Sequence, residues 1–300
     1  MSTAPQTDVR SPADPDLRPD KRQVRRAFDR AAAGYDRAAV LQQEVGTRLV
    51  ERLDYVRLAP RRVLDLGSGT GLLAGALANR YPRARILQLD LSLAMLRQAR
   101  GRSRLRAWLG KSQFAAGDAE RLPLASASFD LVLSNLVFQW CEGLGAVMAE
   151  LRRVLRPGGL VMFTTFGPDT LGELRRAWAQ VDGGVHVSRF PDMHDVGDLM
   201  VQAGLADPVM DMEPFTLTYD TVQGLMRDLK AIGASNAARG RARGLTGKGR
   251  LQALGAAYEG FRREGRLPAT YEVVYGHAWA PAGGSARGRA EIRVEDVRRR

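Results

Sequence analysis

Three hundred residues with 45% apolar content suffice for a full α/β core, and no apolar run reaches the ~18 residues of a membrane helix. The formal net charge of +12 is nearly all arginine, the only lysines being Lys21, Lys111, Lys230 and Lys248, and it points to acidic partners without choosing between nucleic acid and protein. A single cysteine, Cys141, excludes an internal disulfide, and the polar, proline-rich start from Met1 to Asp20 lacks a signal core, so a reducing, cytoplasmic setting with no membrane is expected.

Residues 1–20 read as a disordered tail ahead of a domain spanning 21–280. Within 21–58, the spacing of Val24, Phe28, Val40, Leu41, Val45, Leu49 and Leu53 predicts helices that cap this domain. Val63 to Leu66 is a short buried strand, followed by a helix from Gly71 to Arg80. Ile86 to Leu89 forms a second strand ending at Asp90, and Ser92 offers an N-cap to the helix carrying Met95 and Leu96. A third strand lies near Gln113 to Ala116. Phe129 to Leu133 is a fourth, apolar but for Asp130, as a parallel strand covered on both faces should largely be. A helix from Val147 to Leu155 turns at Pro157-Gly158-Gly159 into a fifth strand, Leu160 to Thr165. This alternation specifies an α/β fold with a doubly wound, mostly parallel sheet, seven-stranded once Phe215 to Tyr219 and Tyr271 to Trp279 are added. Helices are expected at Leu171 to Val181 and Met193 to Ala203. A helical insertion occupies 222–266, and 281–300 read as a second tail.

The strongest functional signal is Val63-Leu64-Asp65-Leu66-Gly67-Ser68-Gly69-Thr70-Gly71. An apolar strand entering a glycine-rich turn and then a helix lets backbone amides approach a ligand closely. Dinucleotide enzymes use G-x-G-x-x-G, but here the glycines alternate and Leu72 fills the later slot. G-x-G-x-G with Asp65 inside resembles motif I of the Rossmann-like class I methyltransferases, whose cofactor is S-adenosyl-L-methionine. Ligands of such sheets sit beyond the strands' carboxyl ends. Candidate cofactor residues are therefore Asp65, Gly67, Ser68, Gly69, Gly71, Asp90, Leu91, Asp118, Ala119 and Asn135. Asp90 suits the ribose hydroxyls, Asp118 and the Ala119 amide the adenine edge, and Asp65 the ammonium group.

Methyl transfer is an in-line displacement that needs alignment and exclusion of water, not a covalent protein nucleophile. A carboxylate acceptor needs no general base either, since it is ionised near pH 7. His186, His194 and His277 are dispersed and are read as structural hydrogen-bonders, and together with Cys141 they give no metal-binding spacing. Base and glutamine methylases carry an Asn/Asp-Pro-Pro-aromatic turn after the fourth strand. Ser134-Asn135-Leu136-Val137 stands here instead, which counts against nucleic acid as a partner. Cys141 is read as a packed residue.

Five further elements are Phe28-Asp29-Arg30-Ala31-Ala32-Ala33-Gly34-Tyr35-Asp36, Ser134-Asn135-Leu136 through Gln139-Trp140-Cys141, His186-x-x-Arg189-Phe190, Leu229-Lys230-x-Ile232-Gly233-Ala234, and Pro268-Ala269-Thr270-Tyr271-Glu272. Together they resemble the malonyl-[acyl-carrier-protein] O-methyltransferase family of biotin synthesis, from about Lys21 to Pro281. The resemblance implies methylation of the free malonyl carboxylate on an acidic acyl carrier protein. A carboxylate pocket favours the two-pronged guanidinium of an arginine, so Arg153 and Arg189 are the candidates to hold the acceptor. Tyr35 is expected to close over the site, and the basic stretch from Arg239 to Arg250 to steer the carrier. Alternative readings are another small-molecule methyltransferase on the same sheet, or a protein modifier like a respiratory complex I assembly factor.

Overall fold

The computed structural model describes residues 18–234, 236–237 and 247–282. Helix α1 (Lys21–Ala31) begins where the Asp20 carboxylate caps the amides of Arg22 and Gln23, and it buries Val24, Ala27 and Ala31. Helices α2 (Tyr35–Ala38) and α3 (Val40–Glu51) complete an N-terminal cap. The parallel half of the sheet is built from β1 (Arg62–Leu66), β2 (Arg85–Asp90), β3 (Ser112–Ala116), β4 (Phe129–Asn135) and β5 (Leu155–Phe166). Its connections contain α4 (Leu72–Arg80), α5 (Leu93–Arg102), α6 (Arg104–Trp108) and α7 (Leu144–Val154). After α8 (Gly172–Ala179) and α9 (Met193–Gln202) come two long strands, β6 (Ala206–Tyr219) and β7 (Leu267–Trp279). Between these lie α10 (Val222–Ala231) and α11 (Lys248–Glu259).

The seven strands run in the order β3-β2-β1-β4-β5-β7-β6, parallel from β3 to β5, with β7 antiparallel to both its neighbours. Strand order reverses between β1 and β4, so the crevice for a ligand opens beyond their carboxyl ends. Central strands are covered on both faces. Leu131 and Leu133 of β4 pack with α3, α4, α8, α10 and α11, while Val132 packs with α7 and α9. The mostly apolar runs that made these strands readable in sequence are thus a consequence of two-sided burial.

The doubly wound sheet agrees with the sequence reading, with four differences, one being that β7 starts at Leu267 rather than Tyr271. Strand β5 starts at Leu155 rather than Leu160, since pairing with β4 resumes across an irregularity between Phe129 and Leu131. Strand β6 starts at Ala206, well before Phe215, and forms the sheet edge. The short α6 has no counterpart in the reading. Both tails beyond residues 18 and 282 lie outside the described residues, as do Arg239, Arg241 and Arg243 of the basic stretch. Among the described residues no helix is long and apolar enough to cross a membrane.

Candidate active site

Strand β1 delivers its buried end into a loop in which Gly67, Gly69 and Gly71 all hold positive φ, at 70°, 53° and 79°. A Cβ on Gly67 would meet the Val137 side chain at 2.1 Å, and one on Gly71 would meet Gln88 Oε1 at 2.6 Å, so both sites exclude side chains twice over. The loop is tied to the end of β2: the Gly67 and Ser68 amides donate to Leu89 O at 2.7 and 3.1 Å. Asp90 completes the tie, accepting from Gly69 N at 2.9 Å and Ser92 N at 2.8 Å. Burial pushes its carboxyl up to about 6 against the pull of those amides.

Asp65 is 1% exposed, and its Oδ2 has no hydrogen-bond partner. Burial and the neighbouring charge of Asp90 push it up to about 7. A buried acceptor left orphaned this way is complementary to a cation. The ammonium group of S-adenosylmethionine is such a cation, and Ser68 Oγ is a second unpartnered atom in the same turn.

One cavity brings together Tyr35, Gly67, Gly69, Asp90, Leu91, Asp118, Ala119 and Asn135 of the sequence-predicted residues. An adjoining cleft adds Asp65 and Ser68. Gly71 sits behind the loop against Gln88 and Ala99 and allows close packing there. Asn135 spans the wall, with its Nδ2 donating to Gln42 O at 2.9 Å and its Oδ1 accepting from Thr164 Oγ1 at 2.7 Å. The cavity continues past Tyr35 and Trp140 into an apolar compartment with Phe166, Leu174, Phe190 and Tyr271 in its wall. Burial and the negative charges of Asp90 and Asp36 hold the Tyr35 hydroxyl protonated far above the usual tyrosine range. It is a donor, not a base.

The N-terminal segment is latched to each cofactor loop in turn. Lys21 pairs with Asp118 and, at 2.9 Å, with Glu120. Asp29 accepts from Ser92 Oγ at 2.6 Å and from Ala94 N at 3.3 Å. Asp36 accepts from Thr70 Oγ1 at 2.5 Å and pairs with Arg102. Sequence reasoning missed Lys21, for which the one signal was a lysine in a chain that otherwise uses arginine.

Arg153 does not reach the cavity. Its Nε and Nη2 donate to Glu150 at 2.7 Å, and its terminal nitrogens also hold Leu124 O at 2.7 Å and Leu122 O at 3.0 Å. This fork is already filled, and it pins the chain after β3 onto α7, so the expected role in holding the acceptor is set aside. Arg189 is exposed, between Ser188 and Phe190, which both line the compartment. Cys141 does border the cavity, but burial pushes its thiol up to about 12, so it is not a nucleophile. His186, read as a structural hydrogen-bonder, lines the compartment too, whereas His194 is an exposed partner of Asp192.

Residues 64–163 match the family described as Methyltransferase domain, and S-adenosylmethionine is the methyl donor. The YcgJ protein of Bacillus subtilis has the same fold, with a TM-score of 0.58 at 15% identity, covering 80% of this chain and 99% of its own. A protein of Laribacter hongkongensis (strain HLHK9) named malonyl-[acyl-carrier protein] O-methyltransferase is 58% identical, over 88% of this chain and 90% of its own length. A protein of the same name from Methylovorus sp. (strain MP688) is 56% identical over 87% and 90%. At such identity over nearly nine-tenths of both chains, the chain belongs to the malonyl-[acyl-carrier protein] O-methyltransferase family.

Proposed function

We propose that this protein transfers a methyl group from S-adenosylmethionine to the free carboxylate of a malonyl thioester on acyl carrier protein, as a step of biotin synthesis. The observation that carries the reading is the extent of the likeness. The methyltransferase-domain match ends at residue 163, but the named relatives match over 88% of the chain, including the elements that wall the acceptor compartment.

In this reading Asp65 and Ser68 face the ammonium group, Asp90 and Leu91 the ribose, and Asp118 with Ala119 the adenine. Bound there, S-adenosylmethionine supplies an electrophilic methyl on a cationic sulphur. The chain's own task is to align the acceptor and exclude water. The latched α1–α2 segment covers the donor loops. The protonated Tyr35 hydroxyl can donate to one acceptor oxygen and leave the other free to attack. Arg189 at the rim draws in the anion. Methylation removes the acceptor's charge, and an uncharged ester sits far better than a bare carboxylate among Phe166, Phe190 and Tyr271.

The test is incubation with methyl-labelled donor and, in parallel, malonyl-carrier protein, malonyl-CoA and tRNA. Label should enter the malonyl carrier as a base-labile ester. Label in tRNA or only in the protein itself would overturn the reading.

A further inference from the structure

The wall of the acceptor compartment made by α8 and the loop after it carries an unexpected arrangement. His186 lies flat on Trp178, with ring centroids 3.7 Å apart and 8° between planes. Its Nε2 is 2.6 Å from Asp182 Oδ1, which also accepts from Gly184 N at 2.9 Å. The other Asp182 oxygen faces Arg250 of α11 at 3.7 Å. One ring nitrogen is therefore fixed by a carboxylate and one face by an indole, which removes the side chain's rotational freedom. Nδ1 makes no hydrogen bond with a described residue, and the side chain borders the cavity.

The surroundings favour an anion. Arg175 is held by Pro168 O at 3.1 Å and Thr170 O at 3.0 Å, with its Nε unpartnered and no carboxylate bonded to it. Burial, then the nearby charge of Arg189, holds it below the usual arginine range. The Arg175 and Arg189 guanidinium groups, on α8 and the loop after it, oppose each other's charge, and the Asp169 carboxylate acts the other way on Arg175. With Nε2 held by Asp182, Nδ1 is the ring atom left to meet an oxyanion in the cavity.

Building on the malonyl reading above, we propose that His186 is a substrate-binding residue whose Nδ1 donates to one oxygen of the acceptor carboxylate, with Asp182 its positioning residue. With His186 and Tyr35 both donating to the same oxygen, the second stays free to attack the methyl group. Esterification cancels the charge that His186 recognises, so the wall discriminates substrate from product and favours release.

Three variants test this by calorimetry on protein loaded with S-adenosylhomocysteine, titrated with the malonyl thioester of pantetheine and, separately, with its methyl ester. His186→Phe keeps the stack on Trp178 but has no donor. It should weaken the anionic thioester by roughly ten- to hundredfold and leave the neutral ester unchanged, as expected for losing a hydrogen bond to a charge. His186→Gln, which restores an N–H, should recover part of the loss, and Asp182→Asn should show a smaller one. Equal weakening of both ligands, or of neither, would overturn the proposal. Failure of the unaltered enzyme to methylate any malonyl thioester would instead remove the parent reading, because the binding comparison does not depend on turnover.

Discussion

The buried Asp65 and the half-buried Asp90 are neighbouring carboxylates, and neither forms an ion pair with a described residue. Both are raised, to about 7 and about 6, chiefly by burial. A carboxyl group whose folded pKa lies above its unfolded value of about 4 stabilises the fold fully below that value. It loses the contribution as pH rises through the folded one. These two groups therefore make the empty protein less stable from about pH 4 to 7, because the native state is forced to ionise them. A cationic donor reverses the balance. In the proposed arrangement its ammonium favours ionised Asp65, so binding should expel protons and tighten as pH rises through about 7. Calorimetry in two buffers of different ionisation enthalpy should show that release. Asp65→Asn should abolish it and weaken the donor by roughly tenfold or more at pH 8, the scale of a hydrogen bond between charged groups. Equal donor affinity at pH 6 and 8 in the unaltered protein would show that Asp65 does not face the ammonium.

At the scale of the element, α1 and α2 are held over the cavity through contacts that are individually weak. The Lys21 pairs with Asp118 and Glu120 involve side chains 17–34% exposed. A partly solvated pair of this kind contributes about 1 kcal/mol or less to global stability. Its leverage is local, since Asp118 and Glu120 belong to the loop proposed to meet the adenine, and Glu120 also accepts from Gly143 N at 3.2 Å ahead of α7. Lys21→Ala should leave thermal unfolding nearly unchanged while amide exchange quickens across residues 21–38 and the donor dissociates several-fold faster. Unchanged exchange there would mean that the segment is held by its apolar contacts alone. This strap also marks the limit of what the sequence discloses. Strands β1, β2 and β4 announce themselves because two-sided burial demands mostly apolar residues, and motif I because its glycines need positive φ. The N-terminal half of β6 does not. It is an edge strand of alternating exposure, interrupted by Pro208 and by the charged Asp207 and Asp211, so its pattern mimics a loop. Asp182 and His186 are four residues apart in a poorly patterned loop. Only the fold of α8 against that loop sets Trp178 beneath the ring.

For the molecule as a whole, the question is where its formal charge of +12 is spent. Much of it is used internally. Arg48, Arg52, Arg80, Arg102, Arg153, Arg156, Arg262 and Arg266 all pair with carboxylates. The stretch expected to steer the carrier is visible only at Lys248 and Arg250, and Arg250 faces Asp182. By contrast Arg22, Arg25, Arg26 and Arg30 stand exposed on α1 without an ion pair to a described residue. The opposite face of that helix, through Lys21, Val24 and Phe28, lines the cavity. Unpaired charge beside a mouth raises the encounter rate with an oppositely charged partner, and salt suppresses the effect. Combined reversal by Arg22→Glu, Arg25→Glu and Arg26→Glu should raise KM for malonyl-carrier protein by about tenfold at low salt, while malonyl-pantetheine, with no protein to steer, keeps its KM. The penalty should shrink as ionic strength approaches 0.5 M, roughly where the screening length falls below the reach of an arginine side chain. If Lys248→Glu alone produced the larger effect, the carrier would approach over α11 and the α1 face would be a merely solvated one.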